Sequence, residues 1–185
     1  RKYVYAQNYS PFKNVCKFLD QYREVAHFKY GYAASSDQIG WTAPVYVAET
    51  DDQAIAEATE HMEALFNKFL YLPFDMLFPP GYMSAQSYKR VAAHKKNITG
   101  GAQMGRLIEE GVVIVGSPDT VRKQIVDCHE VLGFGTFVAL AHFGTLPADL
   151  TEKSIRLFAT EVMPTLQGLS DKEYRGFEPS AAAAE

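Results

Sequence analysis

The strongest constraint on the fold is a repeated unit in which a short apolar run is followed by an amphipathic helical pattern. Strand-then-helix units in series predict a parallel sheet with helices outside it, and therefore an α/β fold. Such a repeat closes as an eight-unit barrel or stays open as a doubly wound sheet, and periodicity alone does not decide between them. The apolar runs are Tyr3-Val4-Tyr5-Ala6, Pro44-Val45-Tyr46-Val47-Ala48, Val112-Val113-Ile114-Val115 and Phe137-Val138-Ala139-Leu140-Ala141.

Capping residues mark where the helices begin. Ser10, followed by proline, predicts the start of a helix over residues 11–28. Thr50 with Gln53 three residues later predicts a capping box before the second helix. The Gly- and Ser-containing stretch 31–40 between these helices is expected to be a link.

Composition excludes several classes of protein. Eighteen Lys and Arg against 22 Asp and Glu give a net charge of −4, so no nucleic-acid partner is expected. No apolar run reaches the roughly 18 residues of a membrane span, and no signal-peptide pattern is present, so we expect a cytoplasmic protein without a membrane partner. The five histidines share no ligand spacing with the two cysteines, which argues against a metal site.

Residues 71–111 differ from the rest because they carry several Pro and Gly and no sustained apolar period. Loops longer than about 15 residues are uncommon in compact domains, and those that occur are often lids. The most polar part is the cluster His94, Lys95 and Lys96. It is either a solvated turn or a group that closes over an anionic cofactor and keeps water away. We predict that residues 71–111 are a lid insertion.

The turn that opens at Gly116 follows a strand and starts a helix, where free N–H groups could hold a phosphate. Asp119 places a carboxylate in that first turn, which suits the helix dipole and repels a phosphate. The spacing also matches neither nucleotide-binding glycine pattern. We therefore predict that Ser117 serves only as a helix cap.

Three side chains are candidates for lining a substrate pocket. His142 follows the last strand, at the end where α/β enzymes build their sites. Tyr3 and Tyr5 are large aromatics beside the first strand, where packing in the core is the competing role. No nucleophile–histidine arrangement can be assembled from these residues, so the catalytic residues remain unassigned.

Several segments resemble the C-terminal signature of bacterial luciferase-like flavin monooxygenases. The resemblance implies the C-terminal half of a (β/α)8 TIM barrel, with the runs at Tyr3, Val45 and Phe137 as its sixth, seventh and eighth strands. It makes residues 112–115 a return segment and not a barrel strand. The segments that carry the resemblance are 45–52, the pair His94-Lys95, Val115-Gly116-Ser117-Pro118-Asp119-Thr120-Val121, Phe143-Gly144-Thr145-Leu146-Pro147 and Leu157-Phe158-Ala159-Thr160-Glu161-Val162-Met163-Pro164.

The same resemblance implies chemistry and partners. Members oxidise small organic substrates with dioxygen and reduced FMN, which a separate flavin reductase supplies, and they form homodimers or heterodimers. The lid residues His94, Lys95 and Lys96 would close over the flavin. Most flavin contacts in the family come from the first five strands, which have no counterpart here. The fragment alone is therefore expected to be inactive and to need the N-terminal half of the barrel.

We accordingly interpret residues 1–170 as the C-terminal half-barrel of a longer protein and residues 171–185 as a disordered tail. Two alternatives stay open beside the monooxygenase. One is a non-catalytic flavin-binding or subunit-stabilising protein on the same scaffold. The other is a deazaflavin-dependent dehydrogenase, which shares the barrel.

Overall fold

The computed structural model describes residues 3–73, 76, 79, 81, 83–93 and 101–169, and in this part of the chain the predicted strand-and-helix units form a parallel sheet. The strands are β1 (Tyr5–Gln7), β2 (Ile39–Val47), β3 (Ile114–Gly116) and β4 (Thr136–Leu140). The helices are α1 (Phe12–Glu24), α2 (Asp51–Ala64), α3 (Ala85–Ala93), α4 (Met104–Glu109), α5 (Pro118–Leu132), α6 (Ala148–Leu157) and α7 (Met163–Gln167). Helices α1, α2 and α6 each continue into a π-helical turn: Val25–Lys29, Leu65–Phe69 and Phe158–Val162.

Strand β2 is the centre of the sheet. It pairs in parallel with β1 through Ile39 to Trp41 and with β4 through Gly40 to Pro44. Because the two pairings overlap, β1 and β4 lie on opposite sides of β2. The order β1-β2-β4 is that expected for the sixth, seventh and eighth strands of a barrel.

Pro44 lies in this central strand, although proline is normally confined to edges. It is the last residue that pairs with β4, and Val45 is the first that pairs with β3. Pro44, which has no N–H, therefore lies at the point where the pairing of β2 with β4 ends and its pairing with β3 begins.

One face of the sheet packs against helices and contains the main core. Alternate residues of β2 on this face, from Trp41 to Val47, are buried. Val15 and Leu19 of α1 and Val121 and Ile125 of α5 pack into the same cluster and are at most 1% exposed. The amphipathic patterns of α1 and α5 therefore bury their apolar stripes on this face.

On the opposite side of the sheet, we call the part around the first residues of β2 and β4 the open face and define it by Ala6, Thr42, Thr136 and Val138. Ala6 and Thr136 flank Gly40 in the register, and Val138 lies beside Thr42. Ala6 and Thr136 are exposed, and Val138 is 49% exposed although it lies within a strand. In a closed barrel this side would be the lumen, lined by strands from all around the ring.

Two details differ from the sequence-based predictions. Strand β2 begins at Ile39, inside the stretch expected to be a link, because Gly40 lacks a side chain where the Ala6 methyl approaches: a Cβ there would lie 3.0 Å from it. Helix α1 begins without a side-chain cap, and the Ser10 hydroxyl donates instead to the Asn8 carbonyl.

Strand β3 pairs only with the last three residues of β2 and lies outside the order β1-β2-β4. This agrees with the expectation that residues 112–115 are a return segment and not a barrel strand.

The predicted lid range, 71–111, includes a helix that packs on the core. Helix α4 lies inside this range and buries Met104 and Leu107 in a second apolar cluster around Tyr46 and Met62. Helix α4 is therefore part of the packed layer and not of a lid, because two buried apolar side chains anchor it. His94, Lys95 and Lys96 lie outside the described residues, as does the predicted tail 171–185.

Candidate functional site

The carboxyl ends of β2 and β4 meet at one edge of the sheet, and polar residues follow both strands there. Glu49 comes two residues after β2, and His142 comes two residues after β4. In parallel α/β proteins, sites are built at this edge because the loops after the strands converge there. We therefore take this edge as the candidate functional site.

A network of ionisable side chains lies beside the end of β2. The buried Tyr46 hydroxyl donates to Glu57 Oε2 at 2.7 Å, and Gln53 Nε2 donates to Glu57 Oε1 at 2.8 Å. Lys153 of α6 lies between two carboxylates, 2.9 Å from Glu49 Oε2 and 3.6 Å from Glu57 Oε1. The network joins β2, α2 and α6 at the edge where the site is expected.

The electrostatics of this network favour its charged form. Burial raises the pKa of Tyr46, and its hydrogen bond to Glu57 raises it further. Burial opposes the ionisation of Glu57, but hydrogen bonds from Tyr46 and Gln53 outweigh it, and the net result is a lowered pKa. The hydrogen bond between Lys153 and Glu49 lowers the pKa of the carboxyl and raises that of the amine. Tyr46 thus stays a neutral donor between pH 5 and 9, and Lys153 a cation.

The N-terminus of α5 is occupied by a side chain of this protein. Asp51 Oδ1 accepts the Ser117 N–H at 2.6 Å, and Asp51 Oδ2 accepts the Thr120 hydroxyl at 3.0 Å. The Ser117 hydroxyl accepts the Thr120 N–H at 3.4 Å. The prediction that Ser117 is a helix cap is confirmed, and Asp51 completes the cap from α2.

This helix start does not fit a flavin phosphate. The Ser117 N–H that would hold a phosphate oxygen is already taken by Asp51, and a carboxylate would repel the phosphate charge. The turn is also closed sterically, because a Cβ at Gly116 would lie 2.8 Å from both Asp51 Oδ1 and Thr120 Cγ2. A phosphate group is therefore not expected to bind at this helix start.

Comparison with known proteins supports the architecture. No family model matches the chain, and no curated protein matches it. Among solved structures, it is similar to the monooxygenase RslO1 from Streptomyces bottropensis, with 21% identity and a TM-score of 0.55, over 88% of this chain and 41% of that one. It is also similar to the FMN complex of the oxygenating constituent of 3,6-diketocamphane monooxygenase, a type II Baeyer–Villiger monooxygenase from Pseudomonas putida, with 21% identity and a TM-score of 0.57, over 86% and 42%.

A third similar structure has a different cofactor in its name. It is the coenzyme F420 dependent tetrahydromethanopterin reductase from Methanopyrus kandleri, with 20% identity and a TM-score of 0.50, over 86% of this chain and 44% of that one. The chain thus spans less than half the length of each of these proteins. Its fold is that of a partial luciferase-like barrel. The resemblance noted from the sequence is confirmed at the level of the fold.

The three predicted pocket residues lie in different parts of the partial barrel. The Tyr5 ring stacks on Tyr22 of α1 at 5.2 Å between centroids, so it packs in the helical layer and not on the open face. Tyr3 precedes β1, is 66% exposed, and its carbonyl accepts the Tyr22 hydroxyl. His142 alone lies at the carboxyl edge of the sheet.

His142 borders an open depression of about 470 Å³ against α6. Thr151, Ile155 and the paired Glu152 and Arg156 line the same depression. The depression lies between the residue that follows β4 and the outer side of α6. His142 therefore stays a predicted pocket residue.

The partial barrel also contains contacts that the sequence did not predict. His61 Nδ1 lies 2.8 Å from Thr145 Oγ1, which ties α2 to the loop after β4. Gly144 in that loop has φ of +58°, and a Cβ there would lie 2.2 Å from the His61 carbonyl oxygen. Ser154, 2% exposed, accepts the Val47 N–H at 2.9 Å and ends β2. These contacts join residues at least 83 positions apart, so the only local signal was the glycine in a predicted loop.

Two further properties concern the described residues alone. They contain no group of three or more His, Cys, Asp or Glu placed to hold a metal ion. None of their helices is both long and apolar enough to cross a membrane.

Proposed function

We propose that this chain is the C-terminal part of a flavin-dependent monooxygenase, which oxidises a small organic substrate with dioxygen and reduced FMN. One observation carries the proposal. The chain, whose strands lie in the order β1-β2-β4, is similar in fold to two monooxygenase structures over 86–88% of its length, and one of them is a complex with FMN. Reduced FMN in such an enzyme supplies the electrons that activate dioxygen.

The open sheet supports a partner that completes the barrel. In the described residues, β1 and β4 each pair only with β2, so both outer edges carry unpaired backbone groups. A barrel has no edges, because its first and last strands pair. We propose that the N-terminal half supplies the missing strands and most of the flavin contacts, and that the complete barrels associate as a homodimer or heterodimer.

The remaining parts of the proposal follow from the resemblance. A flavin reductase would supply reduced FMN, and both proteins would be cytoplasmic. Within the complete barrel, the described residues would form one wall of the active site. Tyr46, Glu57 and Lys153 would hold α2 and α6 against the end of β2, so that the loops at the carboxyl edge keep their positions. The insertion after α2 would exclude water from that edge, with His94, Lys95 and Lys96 as its polar part.

A deazaflavin-dependent dehydrogenase is the second candidate function. The observation that favours it is the similarity to the coenzyme F420 dependent reductase, which has the same fold at nearly the same identity. The start of α5, which excludes phosphate, does not discriminate between FMN and a deazaflavin coenzyme, because both cofactors carry phosphate. The cofactor must therefore be determined by measurement.

The test uses the chain within its complete barrel. Reduced FMN is added anaerobically and its binding is measured, and oxygen is then admitted with a panel of small organic substrates. We expect oxygen consumption coupled to substrate oxidation, above the uncoupled rate without substrate. In a parallel assay, coenzyme F420 replaces FMN. Hydride transfer to or from this deazaflavin, with no oxygen consumption, would favour the dehydrogenase. Flavin binding without either reaction would favour the non-catalytic scaffold.

A further inference from the structure

The two ends of the insertion are joined by one side-chain amide. Asn67, in the π-helical turn that ends α2, donates from Nδ2 to the Ala102 carbonyl at 2.9 Å. Its Oδ1 accepts the Ala102 N–H at 2.6 Å. One amide therefore satisfies both backbone groups of a residue 35 positions away, as a neighbouring strand would.

A second contact lies one helical turn earlier. Glu63 Oε1 accepts the Met104 N–H at 2.9 Å. Met104 is the first residue of α4, whose own N-cap residue Gln103 makes no capping hydrogen bond with its side chain. Glu63 thus caps α4 from α2 and places a carboxylate at its positive end. Since Glu63 and Asn67 are four positions apart, both act from the same side of the helix.

Both sides of this junction are anchored in the core. Met62 and Leu65 precede Asn67, and Met104 and Leu107 follow Ala102, and all four are at most 8% exposed in one apolar cluster. The chain leaves the core immediately afterwards. The run from Phe69 to Leu72 has four apolar side chains that are each between 42% and 60% exposed. Gly101, with φ of +82°, turns the returning chain into the junction.

We propose that Asn67 and Glu63 form a clamp that fixes the neck of the insertion by holding Ala102 and the start of α4 against α2. The clamp places the end of the predicted lid before Ala102, because Ala102 is bonded to α2 and α4 is anchored in the core. The description of the insertion as a lid rests on the proposed function. The clamp itself does not, because it is defined by contacts within this chain.

Amide hydrogen exchange of the full chain tests the clamp without flavin or substrate. In Asn67→Ala, the Ala102 amide loses its acceptor, and we expect it to exchange roughly three- to tenfold faster, while amides of α5 keep their rates. In Glu63→Ala, the Met104 amide should accelerate by a similar factor, and Glu63→Gln, which keeps the acceptor oxygen, should restore the wild-type rate. Lys68→Ala, at the exposed neighbouring position, is the matched control and should change neither amide.

Trypsin digestion tests the clamp independently of amide hydrogen exchange. Arg106 lies in α4, behind the clamp, and we expect cleavage after it to be faster in Asn67→Ala than in wild type or Lys68→Ala. Unchanged exchange at Ala102 and unchanged cleavage at Arg106 would overturn the proposal. Acceleration throughout α5 as well would also overturn it, since a clamp acts locally. Neither result depends on whether the complete barrel is a monooxygenase.

Discussion

Asp51 and Ser117 are 66 positions apart in the sequence, yet the carboxylate of the first accepts the backbone N–H of the second at 2.6 Å. This contact joins the first turn of α2 to the first turn of α5, where a phosphate could otherwise bind. The partial barrel thus fills that position with an internal anion. Several expectations about stability and binding follow from this contact and from those around it.

Asp51→Ala is expected to lower the free energy of unfolding by about 1 kcal/mol, the usual effect of removing a helix cap. Asp52→Ala is the matched control, because Asp52 lies next to it in the same exposed first turn. Chemical denaturation of the two variants measures the difference. An equal effect from both substitutions would mean that the contact to Ser117 contributes nothing.

The pH dependence of this effect has a definite sign. Hydrogen bonds from the Ser117 N–H, the Ser117 hydroxyl and Thr120 hold the pKa of Asp51 below its usual 3.8. A lowered folded-state pKa contributes stability that is present above about pH 3.8 and is lost as pH falls through the folded value. The difference between wild type and Asp51→Ala should therefore be constant near neutrality and shrink in acid. A difference that grows below pH 4 would contradict this account.

Ser117→Ala separates capping from cofactor binding. The hydroxyl accepts the Thr120 N–H, so we expect its loss to reduce stability by about 1 kcal/mol. FMN affinity of the complete barrel should not change, because Asp51 already occupies the helix start. Thermal unfolding and a flavin titration on the same preparation give both quantities. Weaker FMN binding at unchanged stability would show that the phosphate does reach this turn.

Gly144→Ala is expected to be severely destabilising, by about 3 kcal/mol. The new Cβ would collide with the His61 carbonyl oxygen, and the positive φ adds strain that α2 cannot relieve. Gly105→Ala offers the opposite case, since nothing lies within 4 Å of a Cβ there and the residue is helical. That substitution should be neutral or stabilising by up to about 1 kcal/mol. Comparable losses from both would contradict the close approach of α2 to the loop.

Lys153→Met removes the cation between Glu49 and Glu57 and should lower Tm by about 2–4 °C. The hydrogen bond to Glu49 raises the pKa of Lys153 above 10.5, and the same bond lowers the pKa of Glu49 below 4.5. The stabilisation is therefore lost as pH rises through the first folded value or falls through the second, and it is full between about pH 5 and 10. Lys123→Met, which breaks an exposed pair with Asp127, should have a smaller effect. Equal shifts in Tm from the two substitutions would mean that the ion pairs of Lys153 contribute no more than an ordinary surface pair.

The local signals in the sequence predicted the elements well. The Thr50 hydroxyl accepts the Gln53 N–H, and Gly133 ends α5 with φ of +60°, as their positions indicate. The capping box at Thr50 is only half formed, because the Gln53 side chain bonds to Glu57. A local pattern specifies which backbone groups need partners. It does not specify which other side chain binds the group that the pattern assigns to the cap.

The contacts that define the site could not be predicted in the same way. Asp51 with Ser117 and Asn67 with Ala102 depend on how α2 packs against segments 35 or more positions away. The orientation of Tyr5 could not be predicted either, because an aromatic side chain in a strand faces either the lumen or the helices according to the register of that strand. Its partner Ile39 lies on the helical face, and so does Tyr5. A single sequence contains no signal for that register.

Amide hydrogen exchange of β4 in the 185-residue chain tests the partial barrel most directly. In a parallel strand, successive N–H groups point alternately to either side, so only alternate amides of Thr136–Leu140 can bond to β2. We expect alternating protection along β4, with slow amides toward β2 and fast ones toward the open edge, while Gly40 and Trp41 of β2, which have a paired strand on each side, are both protected. Uniform protection of β4, equal to that of β2, would show that its outer edge is already paired and would contradict the account.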